Sequence, residues 1–394
     1  MWKTMATFLL CCLGSARAEK PAEKRAQKTE GMRLLETYQC PRCHEGTGLP
    51  AVRQEKHCVS CHQSILKGTF PIDSATLKTW QSHLHSLNAA PSFVGIGKRL
   101  RRDFVKDFLL RPYDVRSGLP AMMPRLGISE TQAAAIAQAL IPHEQLDLPK
   151  GDAEAGRKLV AMLGCAACHN MGGFPGMESA QKPAALRAAY DAQTVLPLAP
   201  DLRFVRDRFQ PGMLARFLLS PKDIKPDTPM PAFGLNPTQA TDISTFLWTA
   251  PLSLVAKTPI PKRLPILERK VGFDEVNERV FRRTCWHCHS TPAYANGDGG
   301  PGNTGGFGFK GRGFNVTTYA DIASGRLNDQ GERESVFAKL PDGTPLLLNA
   351  LLLRQKEVAG EIDPKHRGMP LGLPPLTPEQ IQLVESWIAQ GRPE

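Results

Sequence analysis

Eight cysteines of this chain fall into four copies of one pentapeptide pattern: Cys40-Pro-Arg-Cys43-His44, Cys58-Val-Ser-Cys61-His62, Cys165-Ala-Ala-Cys168-His169 and Cys285-Trp-His-Cys288-His289. The other two of the 10 cysteines, Cys11 and Cys12, lie near the beginning, so no later cysteine stands outside the pattern. An even set of thiols in an exported protein ordinarily suggests disulfides. A histidine at the same offset in all four copies argues for different chemistry. C-x-x-C-H is the attachment pattern of c-type haem, in which two thiols add to the porphyrin vinyl groups and the histidine is held beneath the ring as proximal iron ligand. Four covalent haems are therefore expected, with His44, His62, His169 and His289 on iron. The first two motifs keep a competing reading. Cys40-x2-Cys43-x14-Cys58-x2-Cys61 also has the spacing of a four-thiolate zinc ribbon, although a ribbon has no use for His44 and His62.

Residues 1–18 read as a secretory signal. Lys3 supplies the basic start, Ala6 to Gly14 the short apolar stretch, and Ala16-Arg17-Ala18 the small-residue cleavage site, leaving Glu19 first. A periplasmic or other extracytoplasmic location follows. Lipidation at Cys11 is disfavoured because Leu10, not a small residue, precedes it. No apolar run reaches the roughly 18 residues of a membrane span; the run Pro345 to Leu353 is short and contains Asn349.

A six-coordinate haem needs a second axial ligand, and a thioether is a good soft donor. Three Met-Pro dipeptides supply candidates in Met123, Met230 and Met369. Each is followed by the same helix-start chemistry: Ser129-Glu-Thr-Gln132, Asn236-Pro-Thr-Gln239 and Thr377-Pro-Glu-Gln380 read as N-cap plus capping-box glutamine, with Pro237 and Pro378 at the first helical position. Apolar residues then recur at helical spacing, as in Ile243, Phe246 and Leu247 or Ile381, Val384 and Ile388. A methionine is more often a flexible core filler, which suits Met162 on the helix before Cys165. That reading suits poorly a methionine that recurs in register in Pro-flanked loops. Met122 is set aside because register with Met230 selects Met123.

The repeat extends further. Ala90-Pro-Ser-Phe93 matches Ala199-Pro-Asp-Leu202, and Val105 to Pro112 matches Leu214 to Pro221. His62 to Met123 and His169 to Met230 are both 61 positions, whereas His289 to Met369 is 80. This register gives Met123 to His62 and leaves the His44 iron without a thioether. His83 and His85, in Trp80-Gln-Ser-His-Leu-His-Ser, are then candidate ligands, with His57 a third. A competing argument comes from the helix expected over Gly31 to Gln39, which leads into Cys40; on that view His44 faces Met123. Both pairings stay open.

Three features receive plainer readings. His287 cannot easily fold back onto the iron of its own motif and is a possible contact of a neighbouring haem. His366 reads as a loop hydrogen-bonder. The run Asn296 to Gly308 reads as tight turns needing positive φ, because it lacks the G-K-[ST] ending of a phosphate loop.

Together, a helix, C-x-x-C-H, a loop-rich middle, Met-Pro and a closing helix ending as Ser244-Thr-Phe-Leu-Trp248 or Glu385-Ser-Trp-Ile-Ala389 resemble class I cytochrome c domains in tandem. The resemblance implies an all-α fold, with helices and long Gly/Pro-rich loops wrapped around covalent haem, and electron transfer as the role. It spans nearly all the chain from Gly31. The doubled N-terminal motif, the longer third spacing and an Ala-rich insertion at Gln181 to Ala192 depart from it. The expected organisation is a first unit over 19–145 with two motifs, a second over 151–250, a Pro-rich linker over 251–270 and a third over 271–394. A unit of that size has a modest core, which a porphyrin would enlarge.

The formal charge is +11, or +9 without Lys3 and Arg17. Four ferric haems with their propionates would lower this to roughly +5, so the basic excess is partly internal compensation. Nucleic acid is an improbable partner outside the cytoplasm. The run Arg99-Leu-Arg-Arg102 reads either as a docking patch for an acidic redox protein or as an exposed helix face. The expected function is an exported tetrahaem carrier relaying single electrons between redox partners. Alternatives are a multihaem peroxidase or oxidoreductase with one open haem, or a subunit of a respiratory complex.

Overall fold

The structure is a computed structural model describing residues 29–113, 115–116, 122–177, 198–252, 259–291 and 302–394. The expected signal, the Ala-rich insertion, and the first part of the Gly-rich run lie outside the described residues. What is described is mostly helical, and its buried apolar side chains gather into three cores.

The first core is built by α1 (Glu30–Thr37), α4 (Arg102–Leu110) and α5 (Glu130–Leu140), with α2 (Cys58–Leu66) and α3 (Ser74–His83) inserted between α1 and α4. Leu34 and Leu35 of α1 meet Ile136 and Ala137 of α5. The two helices cross closely at Gly31, where a Cβ would stand 2.2 Å from the Ala135 carbonyl oxygen.

The second core repeats this plan with α6 (Ala153–Met162), α7 (Pro211–Leu219) and α8 (Pro237–Thr249). Here Gly156 makes the crossing, and its Cβ would stand 2.0 Å from the Asp242 carbonyl oxygen. The residue preceding each first motif cysteine, Gln39 (φ 54°) or Gly164 (φ 67°), turns the chain through the left-handed region out of the helix.

In the third core, α9 (Phe273–Val276) runs directly into a π-helical stretch over Asn277–Cys285, marked by the Trp286 N–H donating to the Phe281 carbonyl. Val276 stands at the position of Gly156, counted back from the motif histidine, and its side chain is fully buried. The close crossing is therefore not repeated. The unit is completed by α10 (Leu346–Val358), α11 (Pro378–Ala389), a short helix over Tyr319–Ala323, and two antiparallel ribbons of two residues per strand that the helical reading did not anticipate. Capping boxes open α5, α8 and α11 at Ser129, Asn236 and Thr377, as the sequence predicts.

The first two units meet through equivalent segments. Leu100 forms an antiparallel bridge with Phe209, the Arg101 N–H donates to the Arg208 carbonyl (2.8 Å), and the Gln210 N–H donates to the Arg99 carbonyl (2.7 Å). The partners stand 109 positions apart in the repeat, so this is a self-complementary, pseudo-twofold contact within one chain. The Arg99 to Arg102 segment is thus neither a docking patch nor an exposed face. Arg99 is 8% exposed, and the segment forms the seam between two units. The third unit docks on the first: Arg125 Nε donates to Glu357 (3.0 Å), the Phe307 N–H donates to Gln39, and Gly308 lies against the Tyr38 ring.

Candidate functional site

A cavity of about 590 Å³ runs through the first two units. Cys40, Cys43, His44 and Met123 line it in the first, and Cys165, Cys168, His169 and Met230 line it in the second. None of the eight motif cysteines is in a disulfide. Burial pushes the Cys40 thiol up to about 12 and the Cys165 thiol up to about 11.

All four motif histidines are oriented alike. Nδ1 lies against a backbone carbonyl: Pro91 for His44 (2.8 Å), Leu87 for His62 (3.1 Å), Pro200 for His169 (2.8 Å) and Phe314 for His289 (3.2 Å). A carbonyl only accepts, so Nδ1 carries the proton and Nε2 keeps its lone pair for a metal. Burial favours this neutral form by lowering the proton affinity of His44, His62 and His169, and takes His289 down to about 4. The Pro91 and Pro200 carbonyls belong to the matched Ala-Pro segments, which explains why that dipeptide recurs. Phe93, two residues on, stacks on the His44 ring at 4.4 Å.

The cavity wall also carries an unbalanced charge. Arg99, which is buried, and Arg208, which is half-buried, line it, and the Nε of each is buried with no hydrogen-bond partner. Burial lowers both to about 10. Guanidinium groups in an apolar cavity call for an anion. A haem brings both parts, an apolar ring for the walls and propionates for the arginines, so the residues present fit that group.

Comparison with known families matches residues 153–251 to the family model described as Cytochrome c. Residues 153–251 form a cytochrome c domain. No curated protein and no solved structure matches the chain. A cytochrome c domain implies at least one covalent haem c, an electron-transfer role and redox partners. Among the described residues, no helix is long and apolar enough to cross a membrane.

Measured against the cytochrome c domain, the first unit aligns through its first motif. Gly31, Cys40 and His44 stand 125 positions before Gly156, Cys165 and His169. Cys40 and Met123 pack on the first core as Cys165 and Met230 pack on the second. The structure therefore brings His44, not His62, to the Met123 cavity. The shared spacing of 61 positions arises because α2 and α3 are inserted after His44. His83 and His85 are exposed and do not line this cavity. In the third unit, Cys285, Trp286 and Met369 pack on one core, and His289 lies edge-on to Phe314.

The Cys58 motif belongs to none of the three cores. It opens α2, whose first turn is capped by His57 Nδ1 accepting from the Ser60 N–H (3.1 Å). The Cys43 thiol hydrogen-bonds with Cys58, which together with burial raises its proton affinity. No group of three or more His, Cys, Asp or Glu is placed to share one metal ion among the described residues. His62 lies 6.2 Å, centre to centre, from the ring of His287.

Other residues have local roles. The Met122 sulfur accepts from the Leu87 N–H (2.8 Å), and His366 Nδ1 pairs with Asp363 (3.3 Å). Met162 is 73% exposed, so it is not a core filler as the sequence suggested. Sequence reasoning missed the crossing glycines and the facing arginines. Their signals were present: a glycine 13 residues before the motif histidine in both units, and an arginine at the same repeat offset.

Proposed function

We propose that the chain is an exported tetrahaem c-type cytochrome that relays single electrons between redox proteins. The observation that carries this reading is the common orientation of His44, His62, His169 and His289, each with Nδ1 on a backbone carbonyl and two motif cysteines beside it. In each motif the two thiols would hold the porphyrin covalently and the histidine would serve as the first iron ligand. Met123, Met230 and Met369 would supply the second ligand of the haems held by His44, His169 and His289. When bound, the haems supply one-electron cycling of iron. The chain's own residues fix the imidazoles, exclude water with three apolar cores and neutralise propionates at Arg99 and Arg208. Contact between Cys43 and Cys58 brings the attachment edges of the first two haems together. Export through residues 1–18 would place the protein where donor and acceptor meet it in small, transient encounters.

Production in a host that matures c-type cytochromes tests the reading. Intact mass should exceed that of the bare chain by four haems, and each Cys-to-Ser pair (Cys40/Cys43, Cys58/Cys61, Cys165/Cys168, Cys285/Cys288) should remove one. A colourless product, or a motif whose loss leaves the mass increment unchanged, would overturn the count. Rapid carbon monoxide binding to the reduced protein would favour an open, catalytic haem over a relay.

A further inference from the structure

The three Met-Pro methionines are each accounted for by one of the three cores, which leaves the haem at Cys58 and Cys61 with a proximal ligand only. Across from His62 stands a side chain of another unit. His287 lies between Cys285 and Cys288 of the third motif, and its ring centre is 6.2 Å from that of His62, with the planes at 66°.

That separation is informative. An imidazole nitrogen sits roughly 2 Å from a transition metal it binds, so two rings on opposite sides of one metal have centres roughly 6 Å apart. Two aromatic rings in simple edge contact fall in the same range, so distance alone does not decide. The surroundings do. His62 is fixed by Leu87, a residue held at φ 58°, which turns its carbonyl onto His62 Nδ1 and leaves Nε2 as the metal-binding nitrogen. Met122 has its sulfur on the Leu87 N–H. His57 Nδ1 accepts from the Ser60 N–H, which puts the proton, not a lone pair, on its buried Nε2. His83 and His85 are exposed. The interface that presents His287 is held independently by Arg125 on Glu357 and by Phe307 on Gln39.

We propose that His287 is the second axial ligand of the haem attached at Cys58 and Cys61, opposite His62. This rests on the tetrahaem reading above. It makes the second haem a bis-histidine centre completed only when the third unit docks on the first. It also joins two haems through three residues, His287 to His289, because the two histidines of one motif then bind different irons. The pair forms a through-bond route from the inserted haem to the third. With two imidazoles in place of imidazole and thioether, this haem has the lowest potential of the four.

The test uses the full, matured chain. Electron paramagnetic resonance of the oxidised protein should show one bis-histidine haem beside three histidine–methionine haems. His287→Ala should abolish the bis-histidine signal, create one high-spin haem that binds carbon monoxide when reduced, and leave four haems by mass. His287→Met, which keeps a ligand of similar reach, should convert that signal to histidine–methionine type and raise one potential. The proposal is overturned if wild type has no bis-histidine haem, if His287→Ala leaves the signal intact, or if His57→Ala or the double variant His83→Ala/His85→Ala abolishes it instead. Mass separates the two levels. Three haems, with Cys58→Ser/Cys61→Ser losing none, would end the tetrahaem reading and this proposal with it; four haems with the wrong ligation would end this proposal alone.

Discussion

Arg99 and Arg208 hold the same position in two repeats and lie near each other across the pseudo-twofold seam, each with a buried Nε that donates to no partner. Two like charges are not brought together in an apolar cavity without compensation. On the proposed reading, propionates of the first and second haems supply it, and the two cations raise both potentials by favouring the reduced state.

Replacing Arg99 or Arg208 with Met should lower the potentials of those two haems by an amount on the order of tens of millivolts, as expected for one charge at an effective dielectric of about 20. The haem at His289 should not move. A spectroelectrochemical titration resolving the components reads this, and equal shifts of all haems would remove the pair from its assigned place.

Met230 lines the same cavity as Cys165, Cys168 and His169. Met230→His should lower one potential while keeping a six-coordinate haem, because a thioether favours the reduced iron more than an imidazole does. Met230→Ala should open one site to carbon monoxide. Met123→Ala should do the same at the His44 haem and leave the His62 haem untouched, which magnetic spectroscopy can distinguish. A loss at the His62 haem instead would restore the pairing suggested by the 61-residue spacing.

What the sequence made legible was local. Four motifs, three Met-Pro loops and the capping boxes at Ser129, Asn236 and Thr377 depend on residues within a turn or two of one another. The Met123 pairing was not legible from spacing, because counting cannot tell an insertion before the motif from one after it. The glycine at position 31 or 156 carried the register, but its role exists only once a second helix crosses it. Arg99 to Arg102 looked like an exposed basic run because nothing local says that a segment 109 residues later covers it. The π-helical turn before Cys285 was equally hidden, since nothing in the local sequence marks the Trp286 N–H bond to the Phe281 carbonyl that defines it.

The helix crossings can be tested directly. At Gly156 a Cβ would meet the Asp242 carbonyl oxygen at 2.0 Å, so Gly156→Ala must push α8 away from α6. The expected cost is at the upper end of roughly 1–3 kcal/mol or beyond, the range for overpacking against backbone. Gly164→Ala is the control: its φ is +67° but nothing lies within 4 Å, so only the left-handed penalty of roughly 1 kcal/mol applies. Denaturation followed by circular dichroism should rank them in that order.

Glu357 ties the third unit to the first. Its carboxylate accepts from Arg125 Nε (3.0 Å), Arg354 Nη1 (3.2 Å) and the Gly368 N–H (2.8 Å), with its side chain 6% exposed. Glu357→Gln would leave two buried guanidinium groups without their counter-charge and should destabilise by roughly 3–5 kcal/mol. Arg125→Met leaves the Glu357–Arg354 pair in place and should cost less. Urea unfolding of both variants checks the ranking, and equal costs would show that Arg354 does not share the charge.

Glu275 gives the pH dependence a defined sign. It accepts both Nη groups of Arg269 at 2.7 Å and Arg279 Nη1 at 2.9 Å. The Arg269 bonds, more than those of Arg279, lower its carboxyl below the usual carboxylate range. The folded state therefore binds the proton less readily than the unfolded chain. Stabilisation is complete above the ordinary value of about 4.3 and is lost as pH falls through the lowered one. Because the partners are partly exposed and screened by salt, the effect stays below about 1 kcal/mol. Glu275→Gln should thus melt slightly below wild type at neutral pH and low salt. The gap should narrow as pH falls through the lowered carboxyl value, below which both side chains are uncharged. A gap that persisted in acid would mean that Glu275 acts through packing rather than charge.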